Sequence, residues 1–364
     1  MAKNYDFEIY AHPSIYTAEN SAKERKLRIY FAEPDKGVNE QTGLILLIPG
    51  FGGHANSKVY QKMRHQFADK YNLITVQCDY FGWEFMQTPT NACISIENLK
   101  YLSPEEISKL YNSQDLSASL TEVLKNYAYP IEISEPLDED LNNFNDMGIM
   151  QALDNISAVI AVMEILKDNN YQIDINKIII YGHSHGAYLA YLCNALAPHL
   201  FSMLIDNSAW TFPLYLKSER KVNLLSNNLE IIVYFNYLAQ NTDFDDELLD
   251  LNHLYQKFSN HCHIICYHGT EDSLITLAQK QKFSSQIDNL NFFAISQNEV
   301  DGEIFQSCEH GLEADYLKLF DLTMANHPQF PTNKKNLIEN VCYCTNKHQY
   351  FIDYSHGLPI LSIN

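Results

Sequence analysis

Short apolar runs alternate along most of this chain with stretches whose apolar positions recur at helical spacing. Leu44 to Ile48, Leu73 to Gln77, Ile178 to Tyr181, Phe201 to Ile205, His261 to Tyr267 and Asn291 to Ser296 read as strands. Leu44 to Ile48 (LILLI) has no polar position, as a strand covered on both faces requires. Helical spacing runs across Ser57 to Tyr71, Met147 to Asp168, the Ala-rich run after Gly186, and Gly311 to Met324. In Met147 to Asp168 the apolar positions Leu153, Ile156, Val159, Ile160, Met163 and Leu166 form one face, so an amphipathic helix is expected. Phe7 to Tyr10 and Leu27 to Phe31 precede this pattern as an antiparallel edge pair joined through the polar AENSAKERK turn. Strands alternating with helices predict an α/β fold with a doubly wound, mainly parallel sheet.

Two segments break the alternation. Residues 84–145 mix helices near Pro104 to Tyr111 and Ser117 to Tyr127 with an acidic stretch, Glu135 to Asp140. Residues 211–260 carry TDFDDELLD, which reads as an exposed, N-capped helix. The core pattern resumes after each, so both are insertions into one core made of residues 1–83, 146–210 and 261–327. Residues 328–364 remain as a tail with hairpin character around Asn346-Lys347.

Composition narrows the partners. The chain has 364 residues, 46% of them hydrophobic, enough for a sizeable core. Its net charge of −20 argues against nucleic acid and anionic membranes, and it repels anionic substrates unless a local basic group intervenes. Met1 to Tyr16 is too polar for a secretory signal, and no run approaches the roughly 18 apolar residues of a membrane span. Eight scattered cysteines fit reduced thiols and a cytoplasmic location. Nothing in the sequence indicates an oligomeric state.

The chemistry concentrates in Lys177 to Leu196, KIIIYGHSHGAYLAYLCNAL. Strand, Gly-x-Ser-x-Gly and helix follow one another there, the context of a nucleophile elbow. The turn presents Ser184 above the sheet, and the glycines on either side let strand and helix approach each other. The backbone N–H of His185 then faces a developing oxyanion from a helix N-terminus.

With Ser184 placed, the order of the remaining residues resembles the α/β-hydrolase superfamily from about Leu44 to Asn326. The resemblance implies an acid after a downstream strand, where HGTEDSLI supplies Asp272, with Glu271 as the fallback. It implies a histidine at the head of the last helix, where CEHGL supplies His310; His356 in DYSHG is the rival. The loop IPGFGG resembles the family's oxyanion loop and puts Phe51 first and Gly52 second as donor. Both insertions fall where the superfamily carries its lids. Asp79 takes a scaffolding position.

The resemblance implies an ester hydrolase with an acyl-enzyme intermediate, needing neither cofactor nor metal. The chain as a whole also looks like an uncharacterised bacterial branch associated in part with surface-sugar modification. That tilts the expected small-molecule ester substrate toward O-acyl, especially acetyl, groups on sugars. Trp83 and Trp210, the two tryptophans, fall just past strand ends and are expected to border the pocket, along with His183. The run His261 to His268 holds ligand-type residues, but strand alternation sends His261 and His263 to one face and Cys262 and Cys266 to the other. A small serine peptidase, an acyltransferase and a non-catalytic binding protein on the same scaffold are the alternatives.

Overall fold

The computed structural model describes residues 1–18, 23–92, 99, 102–114, 118–119, 122–123, 131–226, 229–330 and 338–364. Of the helix expected near 117–127 only residues 118–119 and 122–123 are described, and these are helical; the rest of it and part of the AENSAKERK turn lie outside the described residues. The strands are β1 (Lys3–Tyr10), β2 (Lys26–Glu33), β3 (Gly43–Ile48), β4 (Leu73–Cys78), β5 (Ile131–Glu135), β6 (Ile178–His183), β7 (Met203–Asn207), β8 (Arg220–Ser226), β9 (Leu229–Phe235), β10 (His263–Gly269), β11 (Leu290–Ile295), β12 (Val341–Cys344), β13 (Gln349–Asp353) and β14 (Ile360–Ile363). The helices are α1 (Lys58–Tyr71), α2 (Pro104–Tyr111), α3 (Ile149–Asp168), α4 (His185–Leu196), α5 (Asp246–Leu249), α6 (Leu251–Lys257), α7 (Leu277–Ser284) and α8 (Tyr316–Asn326).

The main sheet has eight strands in the order β1-β2-β4-β3-β6-β7-β10-β11. β1 pairs antiparallel with β2, and β2 antiparallel with β4; every other neighbour is parallel. This is the doubly wound order of the α/β-hydrolase fold. Strand alternation divides the core in two. Leu44, Leu46 and Ile48 face α3 and α4, whereas Ile45 and Leu47 face α1 and α8.

α3 departs from the amphipathic expectation. Every residue from Ile149 to Val162 is buried, because the main sheet packs against the helix on one side and α4 lies alongside it. By length and composition this helix could cross a membrane, but here it is a core helix with buried Gln151, Asp154 and Asn155. Asp154 meets Arg25 at 2.6 Å and accepts the Phe81 N–H, so its carboxylate is partnered despite its depth.

The insertions hold a sheet that local sequence does not announce. β8 and β9 form an antiparallel hairpin, and β5 from the other insertion adds to it in parallel. The acidic helix is α5, capped by the Asp245 side chain through the Glu247 N–H. It is not an exposed helix: Asp245, Leu248 and Leu249 are buried. In the tail the expected hairpin is β12–β13, extended by β14. Tyr343 and Tyr354 donate to the Ala195 and Leu196 carbonyls, which fastens the tail to the C-terminal end of α4.

Candidate active site

β6 delivers Ser184 onto a backbone that L-residues rarely adopt, with φ 51° and ψ −120°. Two close approaches make this turn possible. A Cβ on Gly182 would lie 2.3 Å from the Gly186 carbonyl oxygen, and one on Gly186 would lie 2.2 Å from that of Ile48. Only glycine fits at either position.

The elbow is tied to the next strand, since the Ser184 N–H donates to the Asn207 carbonyl at 2.8 Å. Ser184 Oγ then lies 2.7 Å from His310 Nε2, and His310 Nδ1 lies 2.8 Å from Asp272 Oδ2. The other Asp272 oxygen accepts the N–H groups of Leu274 and Ile275 at 2.8 and 3.0 Å. Burial alone would raise the Asp272 carboxyl, but the His310 contact and the Ile275 N–H outweigh it and hold the group below its ordinary value. The structure therefore brings Ser184, His310 and Asp272 into one hydrogen-bonded run. Glu271 is exposed beside it, and His356 sits exposed in a turn of the tail between β13 and β14.

His310 is not at the head of a helix. Gly311, Leu312 and Glu313 all have positive φ, so α8 cannot begin until Asp315 caps it through the Leu317 and Lys318 N–H groups. The loop is held instead by the side-chain amide of Asn207, which donates to the Gly311 carbonyl at 3.3 Å.

The loop after β3 passes against the elbow, with a Cβ built on Gly50 only 3.2 Å from Ser184 Cβ. The Gly52 N–H is spent on the Met86 carbonyl at 2.9 Å, which removes Gly52 as an oxyanion donor. Among the described residues no acceptor takes the N–H of Phe51 or of His185. The Phe51 ring packs edge-on to His185 and Tyr215 and stacks on Trp210.

Three of the expected pocket residues need correction or refinement. Trp210 is 1% exposed and stacks on Phe51, so it supports the loop after β3 and offers no open wall. His183 is buried on the opposite face, bonded to Tyr60 and stacked on Tyr316 with ring centroids 3.5 Å apart. Its ring therefore belongs to the core between α1 and α8. Trp83 is half-buried and tilted over His54, the remaining open aromatic of the set. The His185 ring is buried too, with Nε2 at 2.7 Å from the Gln151 side chain.

Burial pushes both His183 and His185 down to about 3, so each is neutral at ordinary pH. Sequence reasoning left three residues without a role in the site. His268 lies below the acid, its Nδ1 3.7 Å from Asp272, with burial and then Lys280 holding it down at about 4. Lys280 itself pairs with Asp206 at 2.8 Å in a fully buried ion pair under the strand ends. Arg220 lies over the Phe51 ring. His261 stacks on His199 and His263 bonds to Asn291, while Cys262 and Cys266 are buried; among the described residues no three metal-binding side chains converge.

Residues 86–234 match the family described as "Protein of unknown function (DUF2920)". That stretch contains α3, the elbow and most of the insertion sheet. No curated protein matches the chain. Among solved structures, the chain is similar to Est1E from Butyrivibrio proteoclasticus with ferulic acid bound, at 15% identity and a TM-score of 0.45, covering 83% of this chain and 93% of that one. It is also similar to an alpha-beta serine hydrolase homologue from Coxiella burnetii, at 13% identity and a TM-score of 0.41, covering 89% and 97%. A third is the thermophilic esterase Est2 from Thermogutta terrifontis with butyrate bound, at 11% identity and a TM-score of 0.44, covering 89% and 96%.

Proposed function

We propose that this chain is a serine hydrolase of carboxylic esters, with Ser184 as nucleophile, His310 as general base and acid, and Asp272 as its orienting partner. The observation that carries the reading is the unbroken run from Ser184 Oγ through the His310 ring to Asp272, on a serine held at positive φ. Oγ bonds to the ester carbonyl carbon while its proton passes to His310 Nε2. The Phe51 and His185 N–H groups stabilise the oxyanion, a contribution of about 10²- to 10³-fold for one such donor. Collapse expels the alcohol, which takes the proton from Nε2. Water then repeats the sequence on the acyl-enzyme and releases the acid. Asp272 fixes the Nδ1–H tautomer and stabilises the imidazolium.

Within this reading O-acyl groups on sugars come first, supported by the half-buried ring of Trp83 beside His54. Hydrolysis of p-nitrophenyl acetate, butyrate and octanoate, followed by acetylated sugars, tests the whole reading. A small-acyl preference that disappears in Ser184→Ala is expected. Equal turnover by wild type and Ser184→Ala would overturn it.

A further inference from the structure

We propose that Arg220 recognises a carboxylate on the substrate, so that the preferred ester is an anionic one; this rests on the hydrolase reading of the same site. Arg220 opens β8 and is 6% exposed. Its Nη1 donates to the Gln87 carbonyl and to the Tyr237 hydroxyl, both at 3.0 Å, which uses both hydrogens of that nitrogen. The guanidinium lies over two rings, 4.3 Å from the centre of Phe235 and 4.8 Å from that of Phe51.

Among the described residues no carboxylate pairs with it, and Nε and Nη2 have no acceptor. Buried charges are ordinarily paired, as Arg25 is with Asp154. Arg64 also lacks a carboxylate, but its Nε is sealed off in the core; the Arg220 nitrogens are not sealed. The open Nε–Nη2 edge presents two parallel N–H groups, the arrangement that grips a carboxylate in a bidentate manner.

The location suits a substrate contact. Arg220 is bonded to Gln87, whose side chain donates to the Gly53 carbonyl, while Met86 accepts the Gly52 N–H. This strip joins Arg220 to the loop that presents the Phe51 N–H. With a chain charge of −20, an anionic substrate needs such a local cation.

The test compares anionic with neutral esters in two pairs. Mono-p-nitrophenyl adipate against p-nitrophenyl hexanoate places the carboxylate on the acyl side. O-acetyl-lactate against O-acetyl-lactamide places it on the alcohol side. Wild type is expected to favour the anionic member of one pair by about 10- to 100-fold in kcat/KM, the range of a charge-assisted pair. That ratio collapses in Arg220→Gln and survives in part in Arg220→Lys. No preference in wild type for either pair, or a preference that persists in Arg220→Gln, would overturn the inference. Should Arg220→Gln not fold, adipate and adipamide are compared as inhibitors of wild type, and equal inhibition overturns it. Failure of wild type on all four esters, with Ser184 inert to a fluorophosphonate, overturns the hydrolase reading itself.

Discussion

Asn207 accepts the backbone N–H of Ser184 at 2.8 Å, and its side chain reaches the carbonyl of Gly311 at 3.3 Å. One residue at the end of β7 thus spans the Ser184 turn and the His310 loop. Asn207→Ala keeps the first bond and removes the second, letting the His310 loop drift. A loss of about 10-fold in kcat with KM unchanged is expected on p-nitrophenyl acetate, the equivalent of one hydrogen bond. A raised KM at constant kcat would instead mark Asn207 as a substrate contact.

Gly186 tolerates no side chain. The added Cβ of Gly186→Ala meets the backbone of Ile48 and Pro49, which cannot rotate away. Thermal denaturation should show a loss of about 3 kcal/mol or more. A variant with wild-type Tm would mean that strand and helix are further apart than described.

The buried pair Asp206–Lys280 has a distinct signature. Lys280 also donates to the Ala209 carbonyl, and Tyr191 donates to Asp206. Removing one partner strands a charge, so Lys280→Met should cost about 3–5 kcal/mol in urea unfolding. Combining it with Asp206→Asn should cost less than the sum of the two single changes. Strict additivity would contradict the pairing.

Two buried histidines beside the Ser184 turn make a contribution to stability that acid removes. His183 and His185 are held down at about 3 by burial, whereas unfolded histidines titrate near their ordinary value of about 6.5. Between those values each of these histidines is protonated in the unfolded chain and not in the folded one, so the stability they contribute is complete above about pH 6.5 and falls as pH drops. Each histidine contributes a slope of up to about 1.4 kcal/mol per pH unit. Asp146 and Asp154, pushed up by burial to about 6 and 7, hold protons in the folded state over the same range and oppose this slope, so the histidines are read directly by NMR titration of their ring protons. Either ring titrating near 6.5 in the folded protein would contradict its neutral burial.

The Ser184 turn, the Asp272 loop and the His310 loop are legible because each is a short local pattern at a strand end. LILLI and IIIY carry their own burial signal, and the glycines around Ser184 report a steric need. The insertion sheet was not legible. β5 is five residues long and pairs with β9 across a wide sequence separation, so no local periodicity marks it. Arg220 sits in a polar stretch, KSERK, that reads as loop, and it is buried against Phe51, Phe235, Tyr237 and Gln87, all distant in sequence or in a separate strand. Trp210 is expected at the pocket from its place past a strand end and His183 from flanking Ser184, whereas which side of the sheet a ring takes depends on packing. The positive φ values at Leu312 and Glu313, which delay the helix expected from Gly311, likewise follow from tertiary context.

The most direct test of the site is covalent labelling by a fluorophosphonate, read by mass spectrometry on wild type, Ser184→Ala, His310→Ala and His356→Ala. The expected result is a single adduct on Ser184 in wild type and in His356→Ala, none in Ser184→Ala, and labelling slowed by about 10³-fold or more in His310→Ala. A folded wild type that takes no label, or one whose labelling depends on His356 and not on His310, would contradict the arrangement of Ser184, His310 and Asp272 as a catalytic unit.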